Sequence, residues 1–237
     1  MKKIIVANFK ENMPKIDLNK YIKELEKVEK DEELVIAVPY VYLPLIKTDK
    51  IGISAQDVSV FESGSYTGEV SASMIKNFAK YVIIGHNERR NIFCESNKEI
   101  NRKIRNALKN NLKVILCITS IFELKRSLKD IDDFDNILIA FEPKKYIGTN
   151  KTISREELIR FIDKINNITF NKSRILYGGG IKKENIKKLS NINGLDGLLI
   201  GKASLDIDSL KDIINLWWFN WLFVYVDQHV LVRQNFL

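Results

Sequence analysis

The sequence predicts an α/β protein of the (β/α)8 class, in which a closed barrel of eight parallel strands is surrounded by helices. Eight short apolar runs recur along the chain, amphipathic stretches separate them, and 237 residues suit eight βα units. The runs are rich in Ile, Val and Leu and lack polar alternation, as expected for parallel strands that are covered on both faces. In chain order they read KIIVANF, LVIAVP, IGISAQ, YVIIGH, LKVILCI, NILIAFE, RILYGG and DGLLIG.

The stretches between the runs have helical periodicity, as in DLNKYIKELEKVEK and SREELIRFIDKINN. We expect Asp17 and Ser154 to be N-caps, and Glu157 to complete a capping box with Ser154. An open, doubly wound sheet would show the same alternation. The first run, however, continues as NFKENMP rather than as a GxGxxG dinucleotide fingerprint, which favours the barrel.

The domain prediction is a barrel over residues 1–215 and an aromatic extension over residues 216–237. The extension contains all three tryptophans, Trp217, Trp218 and Trp221. Its apolar stretch is shorter than the ~20 residues of a transmembrane helix. It could cover a face of the barrel, extend a subunit contact, touch a membrane surface or result from an altered reading frame, and the sequence does not choose among these roles.

The formal charge of +8, from 38 basic and 30 acidic side chains, favours anionic partners. The lysines are scattered, so we expect a phosphorylated metabolite rather than nucleic acid. Two cysteines, Cys94 and Cys117, and two histidines form no CxxC or Cys/His cluster, and no metal site is expected. No signal-peptide pattern is present, which together with the few cysteines predicts a cytoplasmic protein.

Residues that can carry chemistry follow the apolar runs. Lys10 follows the first run, His86 the fourth and Glu142 the sixth. Glycine-rich turns follow the seventh and eighth runs, at residues 178–180 and at Gly201. Active sites of (β/α)8 barrels lie at the carboxyl ends of their strands, so these groups should meet at one mouth. Glycine turns expose backbone N–H groups that can hold a phosphate.

This set of groups suits proton abstraction next to a carbonyl group. A buried carboxylate whose pKa is lifted toward neutrality is a general base, and a neutral imidazole can polarise a carbonyl oxygen. An ammonium group stabilises an oxyanion or a phosphate. The product of the first step would be an enediolate, which must be shielded from water. The segment from Pro143 to Thr149 is therefore predicted to be a lid.

Each of these residues has a simpler explanation when it is taken alone. Glu142 would serve equally as a salt-bridge partner at a strand end, and YGGG is most often only a turn. Cys117 ends an apolar run and is expected to belong to the core. Arg89 and Arg90 are expected to pair with Glu95 or other carboxylates. The functional prediction rests on the fact that all of these residues occur together, each at the end of a predicted strand.

Six collinear motifs resemble the triosephosphate isomerase family: ANFK, SYTGEVSA, IIGHNERR, AFEPKKYIGT, YGGG and DGLLIGKASL. The resemblance runs from residue 3 to about residue 214. It implies a (β/α)8 isomerase of glycolysis and gluconeogenesis that interconverts dihydroxyacetone phosphate and D-glyceraldehyde 3-phosphate through an enediolate. It implies a homodimer and neither a cofactor nor a metal.

The resemblance also implies catalytic roles. Glu142 would be the base that moves the proton between two substrate carbons, and His86 would be the electrophile at the carbonyl. Lys10, with Asn8 beside it, would place positive charge near the substrate oxygen and phosphate. Glu88 would orient the region of the lysine.

Substrate phosphate is expected against the N–H groups of Gly148, Gly180, Gly201 and Lys202. Ile147 and Leu199 match an apolar clamp around the glutamate, and Tyr177 of the YGGG motif is a supporting residue. Thr67 lies in a segment similar to the family's projecting loop, which reaches the site of the neighbouring subunit. The sequence therefore predicts the subunit contact at Thr67.

Three departures from the family pattern leave alternatives open. Lys145 stands where the lid commonly has an aromatic residue, and Gly180 stands where serine is usual, which removes a hydroxyl worth about 1 kcal/mol. Thr119 lies where the family commonly reads Gly-Glu after Cys117. One alternative is an isomerase of another phosphorylated sugar. The other is a barrel that binds a phosphometabolite with little catalysis, although pure binding needs no base.

Overall fold

The computed structural model describes residues 3–14, 16–28, 33–146, 149 and 151–218. Eight parallel strands form a closed barrel in chain order, and the eighth strand pairs with the first. All eight predicted runs are strands, which confirms the (β/α)8 prediction. The strands are β1 (Ile4–Asn8), β2 (Glu33–Ala37), β3 (Gly52–Ala55), β4 (Tyr81–Ile84), β5 (Lys113–Ile118), β6 (Ile137–Phe141), β7 (Ile175–Gly178) and β8 (Gly197–Ile200).

Helices of uneven length lie between the strands. They are α1 (Leu18–Glu26), α2 (Ala72–Ile75), α3 (Asn87–Asn91), α4 (Asn97–Lys109), α5 (Ile121–Ser127), α6 (Arg155–Thr169), α7 (Ile186–Ser190) and α8, which spans residues 207–218. Short 3₁₀ turns occupy Tyr40–Leu45, Lys144–Tyr146, Lys183–Asn185 and Lys202–Leu205. The last three turns follow β6, β7 and β8, and they therefore lie on the side where the site was expected.

The predicted N-caps form. The Asp17 carboxylate accepts the N–H groups of Asn19 and Lys20 at 3.0 and 3.1 Å, so α1 begins where its first free donors are satisfied. Ser154 accepts the N–H of Glu157 at 3.2 Å, but the return bond of the predicted capping box does not accompany it. A complete capping box is instead formed at the start of α4, by Ser96 and Glu99.

The core has two layers, which explains the absence of polar alternation in the strands. Along β1, Ile4 and Val6 belong to the cluster inside the barrel, whereas Ile5 and Ala7 belong to the cluster between strands and helices. Successive residues of a strand point to opposite faces, and here both faces are buried. Cys117 is 1% exposed in the inner cluster, which confirms its prediction as a core residue.

Helix α8 spans the predicted domain boundary between residues 215 and 216. Trp217 is fully buried in the layer between strands and helices, so the start of the predicted extension packs with the barrel. Residues 219–237, with Trp221, lie outside the described residues, and the role of the extension stays a prediction. Within the described ranges, no helix combines the length and apolarity needed to cross a membrane.

Candidate active site

A cavity of about 570 Å³ opens at the carboxyl ends of the strands. Its lining brings together residues that are separated by up to about 200 positions in the chain, from Asn8 to Asp212. The predicted site residues that line it are Asn8, Lys10, His86, Glu142, Gly180, Leu199, Gly201 and Lys202. The central expectation from the sequence, that groups from the ends of different strands meet at one mouth, is therefore correct.

Glu142 follows directly after β6 and is held by its backbone, because its N–H donates to the carbonyl oxygen of Ile118 at 2.8 Å. Its side chain is 7% exposed, and Oε1 lies 3.4 Å from Nε2 of His86. Oε2 is buried without a hydrogen-bond partner among the described residues. One carboxylate oxygen thus contacts the imidazole, and the glutamate lines the cavity.

Gly178, the last residue of β7, makes room for this carboxylate. A Cβ atom at position 178 would lie 2.8 Å from Cγ of Glu142 and 3.1 Å from Oε1, closer than a real Cβ contact. The YGGG motif therefore has a packing role at its first glycine, because any side chain there would displace the glutamate. This role was not assigned from the sequence.

His86 is the N-cap of α3, and its Nδ1 accepts the N–H of Glu88 at 3.3 Å. In a neutral imidazole one nitrogen accepts and the other carries the hydrogen. Because Nδ1 accepts this bond, Nε2 carries the hydrogen, and Nε2 is the atom that faces Glu142 and the cavity. The ring is thus oriented to donate to an oxygen bound in the cavity.

The carboxylate and the imidazole stabilise each other's charged forms. Burial raises the pKa of Glu142, but the facing His86, a bond from the Cys117 thiol and the charge of Lys10 outweigh it and hold the pKa below its ordinary value. Burial lowers the pKa of His86, and Glu142 outweighs it and raises that pKa. The condition of a glutamate pKa lifted toward neutrality is therefore not met here, because opposite charges lie close to the carboxylate.

Lys10 is held in position by contacts of its backbone and side chain. Its φ angle of 55° lies in the left-handed region, and its N–H donates to Oδ1 of Asn8 at 3.0 Å. Its ammonium group forms an ion pair with Glu88, the residue expected to orient this region, and Gln56 donates to its carbonyl oxygen at 3.0 Å. Gln56 also donates to the carbonyl of Ala37 at 2.9 Å, so it ties β1 and β2 below the lysine.

Arg90 braces the site through the carboxylate pairing expected from the sequence and through backbone carbonyl oxygens. It donates to the carbonyl oxygens of Gly85 at 2.7 Å and Cys117 at 3.0 Å, at the ends of β4 and β5. Its nearest carboxylate, that of Glu123, is 3.7 Å away. Arg89 pairs with Glu95 at 2.6 Å, as predicted.

Thr119, one of the departures from the family pattern, makes its hydrogen bonds to α5. Its N–H and hydroxyl donate to the two oxygens of Glu123 at 2.7 and 2.9 Å. The next residue, Ser120, is the N-cap of the same helix and accepts the N–H of Glu123 at 3.2 Å. This departure therefore fixes the start of a helix and does not line the cavity described above.

The glycine turn after β7 lies directly against the segment that follows the predicted lid. Gly180 has a φ angle of +59°, and a Cβ atom there would lie 2.1 Å from the carbonyl oxygen of Lys151. The Tyr177 hydroxyl accepts the N–H of Ile153 at 3.2 Å, which holds the end of the same segment. Gly180 is thus required by the backbone contact with residue 151, and Tyr177 supports the segment as predicted.

The eighth strand contributes a second turn and several cations. A Cβ atom at Gly201 would lie 3.5 Å from Cε of Lys10, so the lysine side chain packs over this turn. Lys202 begins the 3₁₀ turn that follows and is exposed at the cavity. Lys183 also lines the cavity, but it pairs with Asp212 at 2.8 Å.

The remaining predicted residues fall into two groups. Ile147 and Gly148, predicted as part of a clamp and a phosphate contact, lie outside the described residues. Lys145 is exposed at the start of the lid, with its ammonium 5.6 Å from the ring centre of Tyr146. Thr67 is exposed on the loop after β3 and does not line the cavity. Its predicted contact with another subunit stays a prediction.

No group of three or more His, Cys, Asp and Glu side chains in the described part of the chain is arranged to hold a metal ion. The chemistry available from the residues present is that of a carboxylate, an imidazole and an ammonium around an open volume. These groups can remove a proton, donate to an oxygen and stabilise negative charge.

The family model described as triosephosphate isomerase matches residues 3–217. A protein of Mycoplasma mobile named triosephosphate isomerase is 35% identical over 239 residues, covering 90% of this chain and 99% of the relative. One of Mesomycoplasma hyorhinis is 34% identical, with 91% and 98% covered, and one of Alkaliphilus oremlandii is 35% identical, with 90% and 99% covered. Both carry the same name. With the barrel and its cavity, these matches show that the chain belongs to the triosephosphate isomerase family.

Proposed function

We propose that this protein interconverts dihydroxyacetone phosphate and D-glyceraldehyde 3-phosphate, with Glu142 as the base and His86 as the electrophile. The observation that supports the proposal best is the pair of side chains at the cavity, where Oε1 of Glu142 lies 3.4 Å from Nε2 of His86. Glu142 lines the cavity, so a substrate carbon bound there would lie beside its carboxylate. A purely binding site would not need such a base.

The reaction follows from these positions. The Glu142 carboxylate removes a proton from the carbon next to the substrate carbonyl, and the electrons of that C–H bond form the enediolate double bond. Nε2 of His86 donates to the carbonyl oxygen as negative charge develops there, and the imidazole moves a proton between the two substrate oxygens. Glu142 then returns its proton to the neighbouring carbon. Lys10 stabilises the anionic intermediate and the phosphate.

A coupled steady-state assay with each triose phosphate tests this proposal. We expect turnover in both directions and no turnover of larger phosphorylated sugars, as the match to the triosephosphate isomerase family implies. Faster conversion of another aldose or ketose phosphate would favour the first alternative. Binding of triose phosphate without turnover would favour the phosphometabolite-binding barrel.

The phosphate is expected at the turns after β7 and β8, near the N–H groups of Gly180, Gly201 and Lys202. Of the lysines on the cavity, Lys10 is paired with Glu88 and Lys183 with Asp212. Lys182 and Lys202 make no ion pair with any described carboxylate, so their ammonium groups are available to a doubly charged phosphate, and Lys202 is the one that begins the turn after β8. The charge of Lys202, on the turn after β8, offsets the phosphate binding that is lost because Gly180 has no serine hydroxyl.

Replacing Lys202 by methionine should raise KM for either triose phosphate by roughly tenfold and change kcat little, because it removes a charge that binds the phosphate throughout the reaction. Lys183→Met is the matched control, since it removes the same charge from the same cavity where Asp212 already neutralises it. Steady-state kinetics at two salt concentrations measures both effects. Equal KM values for the two variants would show that the Lys202 ammonium has no special role.

The proposed assembly is a homodimer through the loop that contains Thr67. The N–H of Ser59 donates to the carbonyl of Val70 at 2.9 Å and closes the base of this loop, while residues 61–69 are all exposed. The rings of Phe61 and Tyr66 stack with their centres 3.5 Å apart, which stiffens the projection. A stiff exposed loop with aromatic side chains is well suited to insertion into a partner.

Analytical ultracentrifugation should therefore give a mass near twice the 27.5 kDa of the chain, and Thr67→Arg should shift the protein toward the monomer. The arginine places a charge and a long side chain where close contact is expected. A shortened protein that ends after residue 218 shows whether the extension contributes, since Trp217 belongs to the core. A wild-type protein that sediments as a monomer at all concentrations would refute the assembly.

A further inference from the structure

A second concave surface lies at the opposite end of the barrel from the active site. It has a volume of about 990 Å³ and is formed where β2, β3, β4 and β5 begin. We call it the basal groove. Its lining includes four lysines and two carboxylates, namely Lys50, Lys76, Lys80, Lys113, Glu33 and Asp49.

The floor of the basal groove is apolar. Leu34, Ile51 and Leu112 line it and are 2–4% exposed, and Gly52 lies beside them on the lining. Phe78 forms part of the wall and is 50% exposed. A half-exposed aromatic ring beside an apolar floor provides a surface on which a flat, weakly polar group can lie.

Two of the four lysines are positioned by one buried ring. The ammonium groups of Lys80 and Lys113 lie 5.7 and 5.9 Å from the ring centre of Tyr81, which is fully buried. The Tyr81 hydroxyl donates to Glu33, so the ring is held at its far end as well. Two like charges are thus kept beside the same ring, an arrangement that a bound anion would stabilise.

Within the described ranges, only one of the four lysines pairs with a carboxylate of the groove. Glu33 already accepts from Tyr81, pairs with Arg174 at 2.9 Å and lies 3.9 Å from the ammonium of Lys80. Lys50, Lys76 and Lys113 make no ion pair within the described ranges of the chain. Asp49 is the only other carboxylate on the described lining, so the groove carries excess positive charge above an apolar floor.

We propose that the basal groove binds an organic anion that joins a flat apolar group to two or more phosphate charges, as a nucleoside diphosphate does. The base would lie on the apolar floor beside Phe78, and the diphosphate would lie between the ammonium groups of Lys80 and Lys113. Asn77 and Asn111 stand on the rim, where their amides can donate to the sugar or phosphate. The site is independent of the isomerase reaction, which occurs at the other end of the barrel.

Isothermal titration of the full chain with ADP in magnesium-free, low-salt buffer tests the proposal. We expect one ADP per chain, weaker binding of pyrophosphate and still weaker binding of adenosine. Lys80→Met/Lys113→Met should weaken ADP binding by about tenfold or more, because it removes both charges held beside Tyr81. Lys98→Met/Lys125→Met is the matched control, since it removes two exposed lysines elsewhere and should change ADP affinity less than about twofold.

Isomerase activity of both double variants should equal that of the wild type, which shows that the proteins are folded. Equal ADP affinity of the Lys80/Lys113 variant and the wild type would overturn the proposal, as would the absence of ADP binding at millimolar concentrations. Competition between ADP and triose phosphate would place the ligand in the active site and would also overturn it. Pyrophosphate that binds as tightly as ADP would show that the apolar floor takes no part, so the proposed ligand class would be wrong.

Discussion

Replacing Glu142 by glutamine should lower kcat for triose phosphate isomerisation by about 100-fold or more, which corresponds to the loss of a general base. The amide has the shape of the carboxylate and can keep one contact with Nε2 of His86, which lies 3.4 Å from Oε1 in the wild type. It cannot remove a proton from carbon. Because the change is nearly isosteric, KM should change much less than kcat.

Glu142→Asp is the matched control. It keeps the charge and the base but withdraws the carboxylate by one methylene group, so its activity should fall between those of the wild type and Glu142→Gln. Exchange of the substrate's carbon-bound hydrogen in ²H₂O gives a second readout that depends only on proton abstraction. Undiminished turnover and exchange in Glu142→Gln would assign the base to another residue.

The pKa directions place this base in its active form at neutral pH. His86, Cys117 and Lys10 together hold the pKa of Glu142 below its ordinary value, so the carboxylate is ionised well below pH 7. A carboxylate with a depressed pKa stabilises the fold above the pKa of the unfolded chain, and this contribution is lost as the pH falls through the folded value. Protonation of Glu142 therefore does not limit turnover near neutrality.

The features that could be predicted from the sequence are those encoded locally. Each strand appears as an unbroken apolar run because both of its faces are buried, and the barrel rule then places Lys10, His86 and Glu142 at one mouth. That rule uses only the end of each strand and the order of the strands. It needs no knowledge of which side chains touch, and for that reason it was sufficient to locate the site.

The features that could not be predicted depend on contacts between distant segments. Gln56 ties β1 to β2 below Lys10, and Arg90 binds carbonyl oxygens of β4 and β5. A single glutamine or arginine at a strand end does not predict, from the sequence, which carbonyl oxygens its side chain will bind. The direction of the Glu142 pKa could not be predicted for the same reason, since it depends on three side chains from other strands.

Position 180 shows how a departure from a family pattern changes meaning once its surroundings are known. From the motif alone, glycine in place of serine is the loss of one hydroxyl, and restoring serine is expected to raise turnover if lid closure is weak. In the structure, the glycine adopts a φ angle of +59° and packs against the carbonyl of Lys151, where a Cβ atom would lie 2.1 Å away. The structure therefore favours the opposite outcome.

Gly180→Ser should lower kcat by roughly 10- to 100-fold. A non-glycine residue in the left-handed region is strained by roughly 1–2 kcal/mol, and the serine Cβ would push the backbone of residue 151 away from the turn. Displacement of a substrate-contacting segment by about 1 Å can reduce a rate by about 100-fold. Gly180→Ala should show the same loss, because the clash comes from Cβ and not from the hydroxyl.

Gly194→Ser separates catalysis from general strain. Gly194 also has a positive φ angle, +78°, but a Cβ atom there would meet only the flexible side chain of Ile162, and the residue does not line the active-site cavity. This variant should lose thermal stability while kcat at 25 °C stays near that of the wild type.

If the kcat of Gly180→Ser instead equals or exceeds that of the wild type, the backbone at residue 151 moves freely, and the contact between Gly180 and Lys151 does not govern turnover. A loss confined to position 180 would mean that this glycine is required by the lid of this chain, since a Cβ atom and the close backbone contact cannot occupy the same space.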